Sequence, residues 1–191
     1  MQRPRFAHAI VVGASSGIGR EIARQLHASG TRVALVARRE EALRALSAEL
    51  GGAPYSACDA ADGDAAPALF QDLCRDLGGL DLLVYAAGVM PRLAPDEYDF
   101  GKDREIVAVN VLGAVAWINE AAQRFAAQGS GTIVGIGSVA GDRGRAGNPV
   151  YGASKAALET YLEAVRNRVG SRGVKVVTVK PGTVRTPMTE G

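Results

Sequence analysis

The chain has 191 residues, 22 Lys and Arg against 20 Asp and Glu, and a formal charge of +2. Its length suits one domain, and 47% hydrophobic with 22% charged residues fits an ordinary soluble globule with a sizeable core. Basic residues are spread along the chain, which leaves no electrostatic footprint for nucleic acid, and no stretch approaches the roughly 18 apolar residues of a membrane span.

Met1 to Ala7 is short, carries Arg3 and Arg5, and runs directly into an apolar segment, unlike a signal peptide. Apolar runs of four to six residues then recur at Ala9–Val12, Val33–Val36, Leu80–Tyr85, Thr132–Ile136 and Val174–Val179, with a weaker one near Pro54–Ala57. Each is apolar on both faces, as a parallel strand covered by helices requires. Between them lie helical patterns at Ile18–Ser29, Glu40–Leu50, Asp64–Leu77, Tyr98–Gln128 and Tyr151–Val169. Gly30, Gly51, Gly129 and Gly170 stand where left-handed C-caps are wanted. The abundance of small residues, 33 Ala and 24 Gly, suits close helix–strand packing. Repeated strand–helix–strand units predict a single α/β domain over 1–191: a Rossmann-type, doubly wound parallel sheet of order 3-2-1-4-5-6.

Cys58 and Cys74 form no metal or redox motif, which points to the reducing cytoplasm. The only histidines are His8 and His27, which argues against a His-based zinc site and a Ser–His–Asp hydrolase. No metal is expected.

The first strand leads into Gly13-Ala14-Ser15-Ser16-Gly17-Ile18-Gly19 and then a helix. Glycines at this GxxxGxG spacing permit a tight turn, and the N–H groups of the helix start can receive a pyrophosphate. The second strand ends in Arg38-Arg39, with no acid before Glu40. An arginine there pairs with a 2′-phosphate where an acid would hold a ribose hydroxyl, so NADP(H) is favoured over NAD(H), with Arg38 as the main contact.

Tyr151 and Lys155 stand at i and i+4, on one helical face. Asn148-Pro149 reads as N-cap and N1, which puts Tyr151 in the first turn. Ser138 lies at the carboxyl end of the fifth strand, where open α/β sheets bind ligands. A free tyrosine has a pKa near ~10, and a neighbouring ammonium together with an oxidised nicotinamide would lower it. Tyr151 then exchanges a proton with a substrate oxygen that Ser138 holds.

On these motifs the chain resembles the short-chain dehydrogenase/reductase family, from about His8 to Thr186. Gly13, Gly17 and Gly19 match its glycine motif, with Ser15, Ser16 and Ile18 between them. Cys58-Asp59-Ala60 matches the segment whose aspartate contacts adenine, and Tyr85-Ala86-Ala87-Gly88 matches its NNAG element. Asn110 matches the helix asparagine that holds a water in a proton relay with the lysine. Ser138, Tyr151 and Lys155 match the catalytic set. Pro181-Gly182-Thr183-Val184-Arg185-Thr186 matches the segment beside the nicotinamide, with Val184 and Thr186 near the carboxamide.

The resemblance implies an NADP-dependent enzyme that interconverts a carbonyl and an alcohol on a small-molecule substrate and assembles as a homodimer or homotetramer. Trp117 and Phe125, on the long helices, are candidates for subunit contact or for the core. A non-catalytic NADP(H)-binding regulator or redox sensor is the alternative reading. An epimerase or dehydratase of the related extended family is disfavoured by the glycine spacing and the short chain.

Three departures stand out. Val12 replaces a frequent threonine. Tyr85 replaces the first asparagine of NNAG, so a hydrogen bond supporting the central strand is lost or remade. The family normally continues past the PG segment with a substrate loop and a seventh strand. Their absence from this sequence implies truncation or a minimal variant, and an exposed edge on the sixth strand.

Overall fold

The computed structural model describes residues 6–190. The reading of the first residues, Arg3 and Arg5 included, lies outside them.

Six parallel strands form one sheet in the order 3-2-1-4-5-6, as expected. They are β1 (His8–Val12), β2 (Arg32–Ala37), β3 (Tyr55–Ala57), β4 (Leu82–Tyr85), β5 (Gly131–Ile136) and β6 (Val174–Val179). The helices are α1 (Gly17–Ala28), α2 (Glu40–Glu49), α3 (Ala66–Leu77), α4 (Phe100–Val107), α5 (Ala114–Gln128), α6 (Pro149–Val169) and the short α7 (Pro187–Glu190). The sheet is buried on both faces because β1 is apolar throughout and its side chains alternate. Ile10 and Val12 join Phe70, Trp117, Phe125, Leu158 and Leu162 beneath α3, α5 and α6. Ala9 and Val11 join Ala23, Leu43 and Leu46 beneath α1 and α2. Asp81 accepts from the N–H groups of Ala7 and His8 at 2.7 and 2.8 Å, which pins the start of β1 beside β4.

Trp117 and Phe125 are fully buried within the chain. Their place is the core, and the large apolar side chains exposed on the neighbouring surface are Tyr98, Phe100, Val107 and Leu112. Val174 and Val176 face the core, whereas Val177 and Val179 on the opposite face of β6 remain about 40% exposed. β6 pairs only with β5, so it forms a sheet edge among the described residues.

Two local expectations are corrected. Gly170 has φ −60° and opens a short 3₁₀ turn, and the left-handed residue is Gly173 (φ +77°). The long fourth helical pattern starts at Phe100 under an Asp99 cap, and Ala108–Gly113 form a π-helical turn inside it. A π turn adds one residue without changing composition, so no periodicity signals it. The whole helical run Phe100–Gln128 is long and apolar enough, by length and composition, to cross a membrane. Its buried Ile106, Trp117, Ile118, Ala121 and Phe125 make it a helix packed on the sheet.

Tyr85 explains how the first asparagine is replaced. Its hydroxyl donates to the Val109 carbonyl at 2.6 Å, inside the π turn. Gly113 leaves the space, since a Cβ there would stand 2.7 Å from that hydroxyl oxygen. The supporting hydrogen bond is thus remade from strand to helix. Burial pushes the phenol far up, so it stays a donor. Tyr85→Phe removes this buried hydrogen bond and is expected to cost about 0.5–1.5 kcal/mol, read as a lower urea midpoint at unchanged slope.

Candidate active site

The carboxyl ends of the strands open into a cleft of about 790 Å³. Every predicted site residue except Asp59 and Asn110 lines it.

At one end lies the glycine turn. Gly13 has φ +91°, and a Cβ on it would come within 2.4 Å of the Ala87 nitrogen. A Cβ on Gly19 would stand 2.3 Å from the Gly13 carbonyl oxygen. Both contacts are with backbone, so neither position tolerates a side chain without displacing the loop after β4. Ser16 caps α1 without a side-chain hydrogen bond, which leaves the first-turn N–H groups directed outward as donors. Donors, helix dipole and absent Cβ atoms together fit the pyrophosphate of a dinucleotide.

The paired arginines at the end of β2 diverge. Arg39 reaches over the glycine turn, its Nη2 donating to Ser15 Oγ at 3.0 Å and Ser16 Oγ at 2.6 Å. Arg38 turns to Asp59 and Glu105, at 3.9 and 3.7 Å. The sequence reading put the main weight on Arg38. Both arginines line the cleft, and Arg39 is the one that lies over the glycine turn. Asp59 accepts from the Ala61 N–H at 3.0 Å in a turn, and its neighbours Cys58 and Ala60 line the cleft in its stead.

At the other end stand Ser138, Tyr151 and Lys155. Asn148 accepts from the Tyr151 N–H at 3.2 Å, which confirms the predicted cap. Its amide donates to the Pro91 carbonyl at 3.0 Å, tying the loop after β4 to α6. Lys155 is 5% exposed; its Nζ donates to the Ile136 carbonyl at 3.0 Å and lies 5.7 Å from the Tyr151 ring centre. Burial pulls this ammonium down to about 8, and the Glu159 carboxylate opposes the fall. Burial also pushes the Tyr151 phenol up, against a hydrogen bond from Ser138 that favours its ionised form. In the chain by itself, therefore, Tyr151 is a proton donor at neutral pH.

Asn110 sits fully buried in the π turn. Its amide donates to Val89 O at 3.1 Å and Ser154 Oγ at 3.0 Å, and its oxygen accepts from Val89 N at 2.8 Å. Ser154 in turn donates to the Tyr151 carbonyl at 2.7 Å. The sequence reading passed over Ser154, whose only signal was its place between Tyr151 and Lys155. Pro181, Gly182, Val184 and Thr186 form the wall after β6. Among the described residues no cluster of three His, Cys, Asp or Glu could hold a metal ion.

A family model described as short chain dehydrogenase matches residues 7–191. The chain is 31% identical to carbonyl reductase family member 4 of Xenopus tropicalis, over 95% of this chain and 77% of that one. It is 34% identical to a 3-oxoacyl-[acyl-carrier-protein] reductase of Bos taurus, over 94% of this chain and 76% of the other. The crystal structure of a short-chain dehydrogenase from Streptomyces avermitilis superposes with a TM-score of 0.88 at 34% identity, covering 95% of this chain and 67% of that one.

Proposed function

The chain belongs to the short-chain dehydrogenase family, and from that premise we propose that it is an NADP(H)-dependent oxidoreductase interconverting a carbonyl and an alcohol on a small molecule. One observation carries the reading: Ser138, Tyr151 and Lys155 share a single cleft with the glycine turn and Arg39. The names of the Xenopus and Bos relatives support the direction of carbonyl reduction.

The nicotinamide, when bound, supplies or accepts the hydride. The chain's own groups manage the proton. Ser138 Oγ holds the substrate oxygen. Tyr151 gives its phenolic proton to that oxygen in reduction and takes it back in oxidation. Lys155 holds its ammonium beside the Tyr151 ring and stabilises the phenolate that forms. Asn110 braces the loop after β4 against α6 and supports a water relay toward Lys155. Gly13, Ser15, Ser16, Gly17, Ile18 and Gly19 seat the pyrophosphate. Ala60, Ala86, Ala87 and Gly88 border the adenosine side, and Pro181, Gly182, Val184 and Thr186 the nicotinamide side.

Arg39, with Ser15 and Ser16, receives the 2′-phosphate. Arg39→Ala is expected to weaken NADPH roughly 10- to 150-fold, the range of a hydrogen bond to a charged group, and to leave NADH unchanged. Arg38→Ala should act less, since its guanidinium faces carboxylates. Dissociation constants for both dinucleotides, from nicotinamide fluorescence, check this. Equal loss of both dinucleotides would transfer the role to general phosphate attraction. Cytoplasmic location and assembly of identical subunits are part of the same reading.

A further inference from the structure

We infer that Glu159 and Lys180 are a positioning pair for this site, with Glu159 tying the main chain of Ser138 to α6 and Lys180 tying the start of the Pro181–Gly182 segment to the same carboxylate. The inference rests on the reading of the cleft as a site of carbonyl reduction.

Glu159 lies one helical turn past Lys155 and two past Tyr151 on α6. Its Oε1 accepts from the Ser138 N–H at 3.1 Å. Its Oε2 lies 2.8 Å from Lys180 Nζ, with the glutamate side chain 14% exposed. Lys180 Nζ also pairs with Asp142, in the loop after Ser138. The carboxylate occupies a slot that two glycines leave open. A Cβ on Gly137 would stand 2.6 Å from Oε1, and one on Gly141 3.1 Å from it.

The spacing has a geometric reason. Lys155 holds the Ile136 carbonyl and Glu159 holds the Ser138 N–H. Four residues of helix rise about 6.0 Å and two residues of strand about 6.6 Å. The two ties therefore stitch the end of β5 to α6 at matched intervals. They place Ser138 Oγ relative to Tyr151 from the main chain, without touching the substrate. A carboxylate this buried needs partners, and it has one N–H and one ammonium.

Two substitutions separate the ties. Glu159→Ala removes both; Glu159→Gln keeps an oxygen for the Ser138 N–H and loses the ion pair. In the full chain without substrate, amide exchange at Ser138 is expected to rise about tenfold or more in the alanine variant and to stay near wild type in the glutamine variant. With NADPH and an accepted carbonyl, kcat is expected to fall about 100-fold in the alanine variant, at a substrate KM within about threefold. Glutamine should restore kcat to within about fivefold. Lys180→Met should speed exchange in residues 182–186 and spare Ser138.

An unchanged Ser138 amide in Glu159→Ala overturns the inference, as does faster exchange with undiminished kcat. Failure of glutamine to rescue also overturns it. A wild type that oxidises NADPH with no carbonyl would remove the functional reading instead. The exchange pattern then decides the tie alone: protection lost with alanine and kept with glutamine supports it, and any other pattern overturns it.

Discussion

Tyr151→Phe should cut carbonyl reduction at least about 100-fold while NADPH still binds. Only the phenolic hydroxyl is lost; the ring stays over the Lys155 ammonium, 5.7 Å from its centre. General acid catalysis by a positioned side chain is worth about 10²–10⁴-fold, so kcat should fall by at least about 10²-fold with the NADPH dissociation constant within about twofold. The pH profile carries the sign. Burial keeps Tyr151 protonated and pulls Lys155 down to about 8. Reduction by the wild type should therefore hold steady below about pH 8 and fall above it, as Lys155 loses the proton that steadies the phenolate. The residual activity of the phenylalanine variant should be flat across that range. Stopped-flow loss of NADPH absorbance from pH 6 to 10 checks both.

Gly13→Ala should lose dinucleotide binding and stability together. The added methyl would meet the Ala87 nitrogen at 2.4 Å and the Ala86 carbonyl carbon at 2.6 Å, and the backbone sits at φ +91°. Left-handed strain costs about 1–2 kcal/mol and overpacking about 1–3. A loss of about 3 kcal/mol in urea unfolding is expected, with NADPH affinity down by about 100-fold or more as the loop of Ala86, Ala87 and Gly88 is pushed from the turn. Gly144→Ala is the control: a Cβ there meets nothing within 4 Å, and neither property should move.

Much of this was legible in the sequence because each signal was local. The strand order followed from alternating βα units, and the Tyr151 and Lys155 pair from helical spacing. The Asn148 cap followed from the residue type before Pro149. What stayed hidden depends on contacts across the fold. Arg38 and Arg39 are adjacent and alike, and only the folded chain shows Arg38 beside Asp59 and Glu105 and Arg39 over the glycine turn. The π turn holding Asn110 adds one residue to an alanine-rich helix and leaves no mark on its pattern. Tyr85 read as a defect in a motif until Gly113, 28 positions on, gave its hydroxyl room. Glu159 and Lys180 had no signal at all, since one lies on an ordinary helical face and the other just past the end of β6. Gly170 was the wrong glycine because the chain adds one 3₁₀ turn before reversing at Gly173.

Carbonyl reduction is read directly by mixing the wild-type chain with NADPH and a panel of aldehydes, ketones and 3-oxoacyl thioesters and following the absorbance of the reduced nicotinamide. The expected result is stoichiometric conversion of NADPH and carbonyl to NADP and alcohol, at least about 100-fold slower in Tyr151→Phe. Tight NADPH binding with no oxidation across the panel, or full turnover by the Tyr151→Phe variant, would contradict it.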